Sequence, residues 1–264
     1  MSARPNPPPL SRRLAAEIVG TALLLIAVVG SGIAASRLSP GDVGLQLLEN
    51  AGATAAALVA IILAVGPVSG AHLNPVVSLA DRVFGGLSTA HAAVYAAVQV
   101  LGGVVGVIVA NLMFGLPPIE VSTTVRRSSG LWLAEVVATF GLLLVIFGVV
   151  RSRRPSVAPF AVGAYIGGAY LFTASTSFAN PAVTLARTLS DTFTGIAPAS
   201  VPPFIAAQLA GAVLAIPVIR LLYPSIAELA PDVVVPHYEL DSAQAPINSS
   251  GRVVSRLSKR EERS

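Results

Sequence analysis

Two side chains in this sequence carry a group suited to hydrogen-bonding an uncharged solute away from bulk water. Asn74 and Asn180 each precede a proline, in the stretches GAHLNPVVSLADR (70–82) and STSFANPAVTLARTLSD (175–191). A carboxamide offers an acceptor oxygen and two N–H donors. Asn before Pro also starts a helix, because Asn caps and Pro in the first turn needs no N–H partner. Asn74-Pro75-Val76 and Asn180-Pro181-Ala182 are each expected to open a half-helix, with the oxygen on the backbone and the NH₂ aimed into a pore. The copies stand 106 positions apart (180 − 74), and Asp81 precedes Arg187 by the same interval. Both lie between apolar runs, so both helices begin at membrane depth and point unpaired N–H groups and a positive dipole end at whatever lies there. Lipid cannot satisfy those groups. Interrupted apolar segments in both halves of a chain mark a permeation site.

Two carboxylates also sit inside apolar runs. Glu17 lies in AEIVGTALLLI (16–26) and Glu135 in AEVVATFGLLLVI (134–146). An intramembrane ionisable group is a functional candidate by default. One reading is a proton relay, which would make the protein a proton-coupled transporter. The other is that each glutamate accepts hydrogen bonds from the unpaired backbone of a half-helix loop. One glutamate and one loop per half favour the second reading, and Gln99 and Gln208 fit the same bracing role. His72, two residues before Asn74, either lines the pore or hydrogen-bonds its loop. With 3 histidines and no cysteine there is no metal-ligand spacing, no disulfide and no nucleophile–base pair. No metal, no cofactor and no enzymatic activity are therefore expected, and His91 and His237 are given no role.

The elements that hold these residues follow from composition. The chain is 54% hydrophobic and 11% charged, against about 25% charged in soluble proteins. It reads as an all-α integral membrane protein. Spans are predicted at about 14–35, 45–65, 90–115, 131–150, 157–173 and 202–222, each near the length needed to cross about 30 Å of hydrocarbon. Half-helices follow the second and fifth. Residues 1–13 are expected to be disordered, 14–222 to form the channel domain, and 223–264 to be a flexible tail. VQVLGGVVG (98–106) resembles AQLAGAVLA (207–215), which aligns Gln99 with Gln208. The repeat halves are about 14–116 and 131–222. Three spans per half force the halves into opposite orientations, an inverted repeat. Six spans put both termini on one side, with 13 Lys/Arg against 4 on the other. That places both termini in the cytoplasm and the protein in the inner (plasma) membrane. The expected partners are membrane lipid and small neutral solutes, and no nucleic acid.

Over about Leu14–Leu222 these residues resemble the aquaporin (major intrinsic protein) family, and within it a bacterial aquaglyceroporin-like member. The markers are the two Asn-Pro motifs, SGAHLNP before the first, and the glutamates of the first and fourth spans. Val76 departs from the Ala usual at that place. The resemblance implies six tilted helices, two half-helices meeting at the centre, one pore per subunit and a homotetramer. It also implies a selectivity filter beyond the asparagines. Counting from the asparagines places it at Thr54, Gly168, Ser177 and Val183. Water-selective members usually have Phe, His and Arg in this ring, and glycerol facilitators usually keep the Arg. Four small residues without an arginine predict a wide opening for water, glycerol-like polyols and neutral metalloids such as arsenous acid; a water-selective pore is the alternative. A slip to Gly167 would leave that conclusion unchanged. Arg187, four residues after Val183, either hangs over the outer mouth or pairs i,i+4 with Asp191.

Overall fold

The computed structural model describes residues 8–151 and 155–224. All belong to one of the two compact units into which the chain divides, Pro7–His237; the other, 1–6 with 238–264, lies outside the described residues. So does nearly all of the expected tail. Eight α-helices carry the described residues: α1 Leu10–Leu38, α2 Val43–Ser69, α3 Pro75–Phe84, α4 Thr89–Met113, α5 Ser129–Arg151, α6 Ala158–Phe172, α7 Pro181–Ala186 and α8 Val201–Leu222. No strand occurs among them. Five helices are long and apolar enough to cross a membrane (α1, α2, α4, α5 and α8). α6 is apolar but has 15 residues, roughly 22 Å at 1.5 Å per residue. A 3₁₀ turn over Pro155–Val157 extends it.

The first helix starts earlier than the apolar run suggests. α1 takes in Leu10, Ser11, Arg12 and Arg13, which were expected to be disordered. Arg13 is held there because its Nε donates to the Tyr95 hydroxyl at 2.8 Å and its guanidinium lies 5.3 Å from the Tyr95 ring centroid.

The order α1–α4 repeats as α5–α8, and the packing repeats with it. α1 contacts α2 and α4, as α5 contacts α6 and α8; α3 packs on α4 and α8, as α7 packs on α8 and α4. Each short helix thus bridges to the last helix of the other half. Across the centre, α2 meets α6 and α3 meets α7. Two glycines show how close the spans come. A Cβ on Gly102 of α4 would stand 2.4 Å from the Ile18 carbonyl oxygen of α1, and one on Gly211 of α8 would stand 2.6 Å from the Val136 oxygen of α5. Small residues that let backbones touch are the usual means of packing helices in lipid. One core cluster runs through the centre, from Leu24, Leu25 and Val28 of α1 to Leu142, Leu143 and Ile146 of α5.

Candidate permeation site

Both half-helices begin as the Asn-Pro chemistry requires. Asn74 caps α3, its Oδ1 accepting from Val76 N at 2.9 Å; Asn180 caps α7, its Oδ1 accepting from Ala182 N at 2.9 Å and Val183 N at 3.3 Å. Pro75 and Pro181 occupy the first helical positions. The amide nitrogens differ from expectation. Asn74 Nδ2 donates to the Ala179 carbonyl and Asn180 Nδ2 to the Leu73 carbonyl, each at 2.8 Å. One N–H of each asparagine ties the two loops together, and each amide carries a second N–H. Both asparagines line one internal cavity, together with residues from α1, α2, α5 and α6.

The loops that deliver the asparagines are bent in an uncommon way. Ala71, Leu73, Ser177 and Ala179 all have positive φ, between 47° and 51°. The two pairs correspond, since 71 + 106 = 177 and 73 + 106 = 179. Non-glycine residues hold this conformation only when their surroundings enforce it. Here the enforcement comes from the glutamates. Glu17 accepts from Ser69 Oγ (2.6 Å), His72 N (3.0 Å), Leu73 N (2.7 Å) and Gln99 Nε2 (2.8 Å). Glu135 accepts from Phe178 N and Ala179 N (2.9 Å each) and Gln208 Nε2 (2.7 Å). Gln99 and Gln208 also donate to Ser78 Oγ and Thr184 Oγ1. Both glutamates are fully buried, and neither lines the cavity. Their oxygens are committed to holding backbone, which disfavours the proton relay. Ser69, Ser78 and Thr184 complete these braces. Ser78 and Thr184 each stand four residues after the motif asparagine, at the same interval of 106 (184 − 78), a duplicated hydroxyl that the repeat marks.

His72 both lines the cavity and anchors its loop: Nδ1 lies 3.0 Å from Ser78 Oγ, and Nε2 lies 3.7 Å from Asp81 Oδ2. Val76 is buried in the core beside the junction, and Ala182 is fully buried at the equivalent place. Among the described residues no three His, Cys, Asp or Glu side chains gather as metal ligands.

Of the four ring positions, Thr54, Ser177 and Val183 line the cavity. Gly168 does not. A Cβ there would meet the Phe172 ring at 3.7 Å, while one on Gly167 would meet Ala55 Cβ of α2 at 2.9 Å. The cavity face of α6 carries Val162, Ile166 and Tyr170, which follow each other at i+4; a residue two beyond Ile166 is turned about 200° away. Counting from Asn180 misses this face because the 173–179 loop is irregular. Tyr170 and Phe178 therefore put aromatic rings on the wall where four small residues were expected.

Of the two readings of Arg187, the structure sets one aside. The side chain does not pair with Asp191, whose carboxylate instead accepts from Thr123 N at 2.9 Å. Arg187 is buried, its Nε donates to the Thr194 carbonyl, and its guanidinium stacks 3.5 Å from the Phe178 centroid. It lines the same cavity as Val183. The wall thus lacks an arginine at position 183 and gains one a helical turn later.

The comparisons with known proteins agree with this architecture. The family model described as "MIP: Major intrinsic protein" matches residues 6–179. Among curated proteins, "Aquaglyceroporin AqpS" of Rhizobium meliloti (strain 1021) is 49% identical over 217 residues, 82% of this chain and 92% of that protein. "Aquaporin NIP2-1" of Oryza sativa subsp. japonica is 31% identical over 199 residues, 72% of this chain and 65% of that protein. Among solved structures, the aquaglyceroporin from Plasmodium falciparum superposes with a TM-score of 0.62 at 22% identity, covering 84% of this chain and 99% of that one. At that identity the likeness is one of fold.

Proposed function

The chain belongs to the major intrinsic protein family, whose members are channels rather than enzymes, and from that premise we propose that it passes water, glycerol-like polyols and neutral metalloid hydroxides such as arsenous acid. The coarser statement, a passive membrane channel for small solutes, follows from the family. The finer one rests chiefly on the reciprocal Asn74–Asn180 junction. Two positive helix ends and two amide donors at mid-membrane oppose cations and protons while leaving uncharged molecules a hydrogen-bonding path. Val183 in place of a filter arginine, beside Thr54 and Ser177, gives part of the wall small side chains and supports solutes larger than water. The name of the 49%-identical relative points the same way.

A water-selective pore is the second reading, favoured by Tyr170, Phe178 and the Arg187 guanidinium on the cavity wall. Light scattering on proteoliposomes exposed to glycerol, urea and arsenite gradients separates the two. Uptake of glycerol or arsenite supports the broad reading; water flux with neither rejects it.

Both termini are placed in the cytoplasm by the Lys/Arg asymmetry, with the channel in the inner (plasma) membrane. A homotetramer is proposed because apolar side chains such as Leu23, Leu101, Val105, Val213 and Leu214 face outward, where lipid or a neighbouring subunit would cover them. Mass measurement in a mild detergent tests this: a tetramer is expected, and a monomer alone would contradict it.

A further inference from the structure

The last turn of α3 carries two arginines that the permeation site does not use. Arg82 and Arg220 are both exposed. Arg82 Nε donates to Thr89 Oγ1 at 2.7 Å. Arg220 reaches across from α8: its Nη2 donates to the Val83 carbonyl at 3.3 Å, and its guanidinium lies 5.9 Å from the Phe84 ring centroid. A cation at a helix C-terminus answers carbonyls that have no partner within the helix. Each contact fixes one corner of a guanidinium. The other N–H groups of both have no partner among the described residues.

Apolar surface leads up to both arginines. On α8, Leu209, Val213, Pro217 and Arg220 follow one another at helical spacing, so they share one face, and all four are exposed. On α3, the exposed Leu79 stands three residues before Arg82. Because Arg220 meets the end of α3, both stripes run toward the same end of the molecule. The group that covers the arginines must bring its own negative charge. Among the described residues Glu17, Asp81 and Glu135 are buried. The remaining carboxylates lie at the opposite end: Asp42 and Glu49 where α2 starts, Glu120 after α4 and Asp191 after α7. The described part of a second copy therefore has no exposed carboxylate at this end to set against Arg82 and Arg220.

We propose that Arg82 and Arg220 bind the headgroup of an anionic phospholipid, with an acyl chain along Leu209 and Val213 of α8. A guanidinium fork matches a phosphate, and an apolar stripe closed by two such forks matches a lipid that is negative at its head and aliphatic below it. Basic side chains at the level of the headgroups attract anionic lipid over zwitterionic lipid, whose own cation offsets its phosphate. The site lies on the outside of the helix bundle and does not depend on which solute passes through the cavity.

The test is native mass spectrometry of the full chain in a mild detergent, titrated with phosphatidylglycerol or with phosphatidylcholine of the same acyl chains. It reads the apparent affinity for the first lipid bound. The wild type is expected to hold phosphatidylglycerol more tightly. Arg82→Gln and Arg220→Gln are each expected to weaken that affinity about fivefold, as the loss of one basic residue at a lipid surface implies, and to leave phosphatidylcholine unchanged. Arg37→Gln is the control. Arg37 is also exposed, donates to the Phe114 carbonyl at 2.8 Å and lies 5.3 Å from that ring centroid, but it stands at the opposite end; its loss is expected to change neither affinity. Size-exclusion profile and melting temperature check that each variant is folded. If Arg220→Gln does not fold, Arg82→Gln decides, since the Arg82 guanidinium holds only a hydroxyl. A wild type without preference for phosphatidylglycerol overturns the site. So does an unchanged affinity in folded Arg82→Gln, or an equal loss in Arg37→Gln.

Discussion

Glu17 faces only donors: two backbone N–H groups, a serine hydroxyl and the Gln99 amide. Glu17→Gln would set an NH₂ against one of those donors. A buried donor without an acceptor costs about 1–3 kcal/mol, and the positive-φ conformations of Ala71 and Leu73 lose their enforcement. The variant is expected to melt earlier and reconstitute poorly. A well-folded Glu17→Gln channel would return the proton-relay reading to contention. Val183→Arg places a second guanidinium a turn from Arg187 and is expected to reduce glycerol flux more than water flux; unchanged flux of both would remove Val183 from the constriction. Outside the membrane, the carboxylate of Asp191 is held below its ordinary range, first by the Thr123 backbone N–H and then by the hydroxyls of Thr123 and Ser122. A depressed folded value means that this contact is fully present above the ordinary aspartate value near pH 4. It is lost as pH falls through the lower, folded value. Protection of the Thr123 amide, its exchange rate relative to that of an unstructured amide at the same pH, should therefore fall only in that acidic window, and a loss of protection near neutral pH would contradict the assignment.

At the scale of elements, Gly102 and Gly211 set the spacing of α1 with α4 and of α5 with α8. Since backbone carbonyls block a Cβ at both, Gly102→Val is expected to destabilise the protein by about 1–3 kcal/mol or more. Melting followed by the fluorescence of Trp132 checks this, and a wild-type melting point would mean that the helices move apart freely. The spans, both half-helices and the paired glutamates were legible in the sequence because each leaves a periodic or duplicated mark. The inward face of α6 was not. Its register depends on an irregular loop in which Thr176, Ser177 and Ala179 adopt left-handed backbone angles, against the preferences of their residue types. That Arg187 lines the cavity with Val183 agrees with their i,i+4 spacing, but its partner was not legible, because Thr194 reaches it through a turn over 190–197 that has no regular pattern.

Across the whole molecule, one approximate two-fold relation organises both stability and permeation. Each half supplies a carboxylate, a glutamine, a strained loop and a capped half-helix, and each asparagine donates to the other half's loop. The centre is therefore a product of both halves, although corresponding lining positions such as His72 and Phe178 carry different side chains. The central claim is that two helix starts meet to make a path for uncharged molecules only. It is tested most directly by recording glycerol swelling and electrical current together on the same reconstituted bilayer system, under an imposed glycerol gradient and membrane potential. The account predicts swelling well above protein-free vesicles with no protein-dependent current. A proton or cation current that follows the protein, or no swelling at all, would contradict it.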